Sequence, residues 1–153
     1  LDVMKLRFDQ MSAWGCDWVE FDNMDWATDS EYRAEYGFQV TWEESEQYNR
    51  ELCDYAHGLG MLCMAKNTRD VGGDQFDGVT FESYNYDFNW WEDYHLQHYL
   101  NEGKLTIVVH YNENRCNRIY NRYKNRYTFG SQISYICEKR QIQAYKHYNE
   151  NSD

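Results

Sequence analysis

The stretch TWEESEQYNRELCDYAHGLGMLCMAKN, residues 41–67, places a helix and a strand in immediate succession. Thr41 and Glu44 have the S/T-x-x-E spacing of a capping box, which predicts that a helix begins there. Apolar and aromatic side chains then recur at near-helical intervals until two glycines stop the pattern. The run that follows, 61–67, is short and almost wholly apolar, which predicts a strand buried on both faces.

The alternation of strands and helices continues on both sides of this stretch. Strands are predicted near 16–22, 61–66, 78–82, 105–110 and 130–136. Further helices are predicted over 88–101 and 113–126. Apolar strands with long helical crossovers are typical of a parallel α/β sheet. Because these strands are too few to close an eight-stranded barrel, which takes about 250 residues, the sequence predicts either an open α/β sheet or part of a barrel.

The composition limits the class of protein. Lys+Arg 15 against Asp+Glu 26 gives a net charge of −11, and 42% of the residues are apolar. This acidity weighs against binding to nucleic acid or to an anionic membrane, both of which usually need a basic face. No apolar run approaches the roughly 20 residues of a membrane span, and Leu1–Arg7 lacks the pattern of a signal peptide. The length of 153 residues predicts a single domain.

Charge and cysteines are distributed unevenly along the chain. Residues 1–104 hold 7 basic and 22 acidic groups, 7 − 22 = −15, whereas residues 105–153 hold 8 and 4, a net +4. A cationic ligand is therefore expected to be drawn to the first part. The five cysteines include no CxxC pair, which suggests neither a zinc ribbon nor a complete disulfide framework. Residues 22–25 offer carboxylates but lack the spacing of a calcium loop, so no metal and no cofactor is predicted.

Charged side chains stand at the ends of the predicted strands. Alternation along the first strand places Val19 and Phe21 under helices, and Glu20 and Asp22 on the opposite face together with Trp18. In parallel α/β folds, ligands bind at the carboxyl ends of the strands. The charged groups predicted to face one cavity there are Glu20, Asp22, Lys66, Glu82 and His110.

Each of these residues also has a structural interpretation. A carboxylate at a strand end can be a solvated cap, and Lys66 can be a salt-bridge partner of Asp22 or Glu82. His110 can be a hydrogen-bonded core or cavity-wall residue. The aromatic residues of 84–91 can form a sugar platform or belong to the core, and the basic run 115–127 is better explained as a solvated helix face than as an RNA-binding segment.

Four segments resemble glycoside hydrolase family 114, the endo-α-1,4-polygalactosaminidase-like TIM-barrel domains. GCDWVEFDNMD (15–25) is similar to the family's CD-x-VEPDN-x-D motif, and residues 37–67 to its stretch GF-x-LT, YNR-x-LA-x-x-AH-x-x-GL and LKN. Glu82 falls at the glutamate of an E-x-C segment, and residues 102–111 resemble GK-x-V-x-x-VEY. The resemblance covers about residues 7–135, and 137–153 is left as a tail.

The resemblance implies a fold, although three residues differ from the family's motifs. The first motif lies near the fourth strand of a complete family barrel, so residues 1–153 are expected to be the C-terminal part, about five βα units, of a TIM (β/α)8 barrel. Such a part would expose two sheet edges through which chains can associate. Phe21 stands where the family has proline, Tyr84 where it has cysteine, and His110 where it has glutamate.

The resemblance also implies an activity. The expected protein is a secreted glycoside hydrolase that cleaves a cationic, galactosamine-containing polysaccharide. Two carboxylates would carry out the reaction. The fragment can be inactive when separated from the complete domain. Asp22 is the candidate nucleophile or base, and Glu82 the candidate general acid. The residues expected to bind substrate are Glu20, Asp25, Lys66, Asn67, His110, Trp18 and Tyr84. The alternatives are a non-catalytic carbohydrate-binding module and a degenerate pseudo-enzyme.

Overall fold

The structure is a computed structural model, and it describes residues 1–22, 24, 34–35, 37, 40–67, 75–84, 95–111, 116–140 and 144–148. The chain folds into two compact units, Leu1–Asp77 and Gly78–Asp153. The first contains α1 (Asp2–Ala13), β1 (Trp18–Phe21), α2 (Trp42–Gly58) and β2 (Leu62–Lys66). The second contains β3 (Gly78–Tyr84), α3 (His95–Asn101), β4 (Leu105–Tyr111), α4 (Cys116–Arg126), β5 (Ser134–Arg140) and β6 (Ala144–Tyr148). That residues 1–153 form a single domain stays a prediction.

Helix α2 begins and ends where the sequence predicts. The Thr41 hydroxyl accepts a hydrogen bond from the Glu44 amide at 3.1 Å, and the Thr41 amide donates to Glu44 Oε2 at 2.8 Å, so the capping box is confirmed. After the helix, Gly60 has a φ of 81°. This is a left-handed conformation that residues with a side chain rarely adopt. The Met61 amide donates back to the Ala56 carbonyl at 3.0 Å. This close turn leads the chain straight into β2.

Strands β1 and β2 pair in parallel, with Trp18 beside Leu62 and Phe21 beside Ala65. Phe21 is buried on the helix-facing side of β1, where its ring stacks on Phe8 of α1. In β2, the four residues from Cys63 to Lys66 are all buried, as the apolar run predicts. The strand pair therefore has a packed face, and its polar side chains emerge at the carboxyl ends.

In the second unit, β3, β4 and β5 are parallel neighbours, and β6 pairs with β5 in the antiparallel direction. Helix α3 packs on β3 and β4. A disulfide joins Cys116, the first residue of α4, to Cys137 of β5, with a Cα–Cα distance of 5.7 Å. Within the described part of the chain, no helix combines the length and the apolar character needed to cross a membrane.

Several boundaries differ from the sequence prediction. Residues 130–132 form a 3-10 turn, so β5 begins at Ser134 and extends to Arg140. A side chain on Gly130 would lie 2.5 Å from the Tyr123 carbonyl oxygen, so the chain turns tightly against the end of α4 before the strand begins. Of the helix predicted over 88–101, the structure describes α3, and of the helix predicted over 113–126 it describes α4. Residues 85–94 and 112–115 lie outside the described ranges.

The segment treated as a tail also differs from the prediction, because it contains the end of β5 and the whole of β6. Strand β6 covers the outer edge of β5. The backbone groups at that edge of β5 therefore already have a partner, and the predicted association through exposed sheet edges stays a prediction.

Candidate active site

A buried lysine and two carboxylates lie together at the carboxyl ends of β1 and β2. Lys66 Nζ is 3.6 Å from Glu20 Oε1 and 3.6 Å from Asp22 Oδ1. The Lys66 side chain is 9% exposed, whereas those of Glu20 and Asp22 are 40% and 59% exposed. The ammonium group is thus fixed beneath two carboxylates that remain open to solvent.

The local backbone explains this arrangement. Side chains alternate along β1, so the burial of Val19 and Phe21 turns Glu20 to the other face. Lys66 ends β2, where its stem is buried and its ammonium group lies close to both carboxylates. Asn67 follows with a φ of 51°, a left-handed conformation that asparagine tolerates better than most residues.

Trp18 and Asp25 are also predicted to bind substrate in this region. Trp18 is the first residue of β1 and is partly exposed, and by alternation it shares a face with Glu20. Asp25 lies outside the described residues. The substrate-binding roles of Trp18, Asn67 and Asp25 stay predictions.

In the second unit, Glu82 of β3 is partly buried and accepts a hydrogen bond from the Tyr111 hydroxyl of β4 at 2.5 Å. The register places Glu82 beside Val109 and Tyr84 beside Tyr111. Neighbouring residues of parallel strands point to the same face, and every second residue shares that face. The backbones of Tyr84 and Tyr111 are therefore placed on the Glu82 face; the side chain of Tyr84 lies outside the described parts.

The structure contradicts the predicted position of His110. Its side chain is fully buried, and its Nε2 is 3.0 Å from the Tyr123 hydroxyl of α4. Its ring also lies against that of Tyr135 in β5. Since Glu82 shares a face with Val109, His110 points to the opposite, helix-covered face. The prediction that His110 lines the cavity with Glu82 is therefore wrong, and its structural interpretation as a hydrogen-bonded core residue agrees with these contacts.

Tyr111 is the residue that the sequence prediction missed. The signal was present, because Tyr111 is the last position of the matched GK-x-V-x-x-VEY segment. The sequence prediction placed Val108 and His110 on the cavity face of β4. Because side chains alternate along a strand, this error of one residue placed Tyr111 on the opposite face. A phenol donating to a carboxylate holds that carboxylate in one orientation, which suits a group that must meet a substrate atom.

The site residues thus form two groups, one in each unit. Glu20, Asp22 and Lys66 belong to the first, and Glu82 with Tyr111 belongs to the second. The first offers solvent-exposed carboxylates held by a buried cation, and the second a carboxyl group oriented by a phenol. That Asp22 and Glu82 act across one glycosidic bond stays a prediction.

Comparisons with known proteins agree with the sequence resemblance. A family model described as glycoside-hydrolase family GH114 matches residues 1–152, and a search of curated proteins found no match. Among solved structures, the fold is similar to the crystal structure of Aspergillus fumigatus Ega3 in complex with galactosamine, with a TM-score of 0.70 at 18% identity. The match covers 96% of this chain and 60% of that chain, so this chain spans about three fifths of its length. The predicted fold, α/β and corresponding to part of a TIM barrel, is confirmed.

Proposed function

Because the chain belongs to glycoside-hydrolase family GH114, we propose that it takes part in the hydrolysis of a galactosamine-containing polysaccharide. The observation that carries the proposal is the Lys66 ammonium group held 3.6 Å from both Glu20 and Asp22 at the carboxyl ends of paired parallel strands. Ligands bind at such strand ends in α/β folds. The fold likeness to a protein solved in complex with galactosamine supports the same class of ligand.

The proposed reaction uses two carboxylates. Asp22 is 59% exposed and lies beside the Lys66 ammonium group. It acts either as the nucleophile, forming a glycosyl-enzyme that water then hydrolyses, or as the base that takes a proton from the water attacking the anomeric carbon. Glu82 acts as general acid and protonates the leaving-group oxygen. Since the Tyr111 hydroxyl donates to Oε1 of Glu82, the proton that is transferred sits on Oε2. Lys66 positions both the sugar hydroxyls and the Asp22 carboxylate.

The charge of the chain supports a cationic substrate. Residues 1–104 carry 7 basic and 22 acidic groups, a net charge of −15. A partly deacetylated galactosaminoglycan carries free amino groups, so an acidic surface raises its local concentration and its rate of encounter. Binding is therefore expected to weaken as ionic strength rises.

The test measures new reducing ends released from partly deacetylated galactosaminoglycan by the 153-residue chain. Asp22→Asn and Glu82→Gln are each expected to lower kcat by a factor of about 100 or more, since each removes a group that acts in the transition state. Glu46→Gln is the control, because that carboxylate is exposed on α2 and pairs with Arg50 of the same helix at 2.9 Å. Undiminished cleavage by both site variants would rule out the assigned roles.

The same assay separates the two alternatives. Glycan affinity without new reducing ends from the wild-type chain would select the non-catalytic binding module. Neither affinity nor cleavage in well-folded protein would select the degenerate pseudo-enzyme. Both outcomes are read from one preparation, with folding checked by circular dichroism.

We further propose that the protein works outside the cell. The Cys116–Cys137 disulfide supports this location, because such bonds persist mainly in oxidising compartments. The remaining cysteines, Cys16, Cys53 and Cys63, are free thiols. Thiol labelling of unfolded, unreduced protein recovered from its native source should therefore modify three cysteines; modification of all five would contradict the proposal.

A further inference from the structure

A second group of reactive side chains lies at the amino end of β2, away from Lys66. His57 Nε2 is 2.8 Å from Asp77 Oδ2, and the Cys63 amide donates to the same oxygen at 2.8 Å. One ligand-type atom from each of these three residues lies within 4.8 Å of the other two. The residues come from the last turn of α2, from β2 and from the end of the first unit. Three separate segments therefore converge on one point.

The three side chains offer a nitrogen, a sulfur and an oxygen atom. Zn²⁺ accepts this combination of ligands in proteins, whereas Mg²⁺ and Ca²⁺ prefer oxygen alone. With zinc bonds of about 2.0–2.3 Å, tetrahedral ligand atoms lie about 3.5 Å apart. The three atoms already lie within 4.8 Å of one another, so small side-chain rotations bring them into this geometry.

The three side chains differ in how far they are buried. Cys63 is fully buried, whereas the side chains of His57 and Asp77 are 38% and 31% exposed. A cation can therefore enter past the imidazole and the carboxylate and reach the sulfur at the inner end. The exposed side also admits a water molecule as fourth ligand.

The electrostatic surroundings favour a cation. Cys53 lies one helical turn before His57, and its backbone carbonyl accepts a hydrogen bond from the Cys63 thiol at 3.7 Å. The carboxylates of Asp77 and Asp54 also place negative charge near this buried pair of cysteines. A divalent cation bound there would offset that negative charge.

We propose that His57, Cys63 and Asp77 bind Zn²⁺, with a water molecule as the fourth ligand. On binding, the Cys63 thiol releases its proton to solvent and its sulfur bonds to the metal. The imidazole proton resides on Nδ1, so that the Nε2 lone pair is available to the metal. The hydrogen bond between His57 and Asp77 is replaced by two bonds to one ion. Cys63 and Lys66 are three residues apart in β2, about 10 Å, so the ion ties α2 to β2 without reaching the proposed glycan site.

The experiment titrates the metal-free 153-residue chain with Co²⁺, which reports thiolate ligation by a charge-transfer absorption in the near ultraviolet. A Cys16→Ser background removes the exposed thiol that could bind Co²⁺ by itself. One equivalent of Co²⁺ is expected to saturate the band, and Zn²⁺ is expected to displace it. At a hundredfold excess over Kd, Zn²⁺ should raise Tm by roughly 5–10 °C. No charge-transfer band, or no rise in Tm, would overturn the proposal.

Variants identify the ligands. His57→Gln and Asp77→Asn alter half-exposed side chains and should weaken Co²⁺ binding at least tenfold, and Cys63→Ser should abolish the band. The control is His98→Gln, since His98 also lies in the last turn of a helix and pairs with a carboxylate, Glu102, at 3.3 Å. An unchanged band in Cys63→Ser would refute the site. If circular dichroism shows that Cys63→Ser is unfolded, wild-type affinity in His57→Gln and Asp77→Asn would refute it equally.

Discussion

Replacing Lys66 with methionine separates a structural salt bridge from a functional one. Methionine keeps an apolar stem of similar length and removes only the charged group. At an effective dielectric constant of 20, unit charges 3.6 Å apart attract by about 4.6 kcal/mol for each of the two pairs. Because the two carboxylates are 40% and 59% exposed, solvent screening reduces each pair to about 1 kcal/mol.

The other side of the balance is the burial of the ammonium group. The Lys66 side chain is only 9% exposed, and removing a charge from water costs several kcal/mol even after the protein relaxes. The attraction and the desolvation cost therefore nearly cancel. Lys66→Met is expected to change the free energy of unfolding by no more than about 1 kcal/mol, in either direction. Loss of a charged hydrogen-bond donor, about 1.5–3 kcal/mol, should lower kcat/KM for the glycan by about 10- to 150-fold.

Urea unfolding followed by circular dichroism gives the stability, and reducing-end release gives the activity. The matched control is Lys104→Met, which removes another largely buried lysine, 18% exposed and 2.7 Å from Glu102. The control should have a similarly small effect on stability and none on activity. A loss of more than about 3 kcal/mol in Lys66→Met, with activity per folded molecule unchanged, would refute the reasoning and make the lysine structural.

Two further predictions concern tyrosine hydroxyls. Tyr111→Phe removes the donor to Glu82 and should cost about 0.5–1.5 kcal/mol in urea unfolding while lowering kcat more than it alters KM; wild-type kcat would contradict the orienting role. For Tyr55, the hydrogen bond it donates to a carboxylate of α1 raises its pKa above the ordinary value of 10.0, so its stabilising effect is complete below that pH and is lost as pH rises through the higher folded value. The Tm difference between wild type and Tyr55→Phe should therefore be constant from neutral pH to about pH 10 and shrink above it. Shrinkage already at neutral pH would contradict the assignment.

Local sequence signals predicted the first unit well because their causes are local. The Thr41–Glu44 capping box involves groups three residues apart, and the terminal glycine acts through its own backbone. The apolar run of β2 predicted its burial because a strand covered on both faces has no polar face. The ion pair of Lys66 with Asp22 was among the structural alternatives, because parallel pairing brings two strand ends together. The second ion pair, with Glu20, was not predicted.

Signals that depend on distant segments were less reliable. Residues of an apolar strand such as LTIVVHY look alike on both faces, so nothing local reports that His110 packs under α4 and Tyr111 beside Glu82. His57, Cys63 and Asp77 belong to no local metal-binding pattern such as a CxxC pair or a calcium loop, because they converge only after folding. Strand β6 was missed for a related reason, because its formation depends on the edge of β5.

Strand β6 also limits how the sheet can be extended. It pairs with β5 through five register positions, from Tyr135 beside Tyr148 to Arg140 beside Ala144. A parallel strand added at that edge would need the same N–H and C=O groups, so the two pairings are mutually exclusive. Residues 144–148 therefore compete with any parallel strand for this edge, and such a strand can pair with β5 only after β6 is displaced.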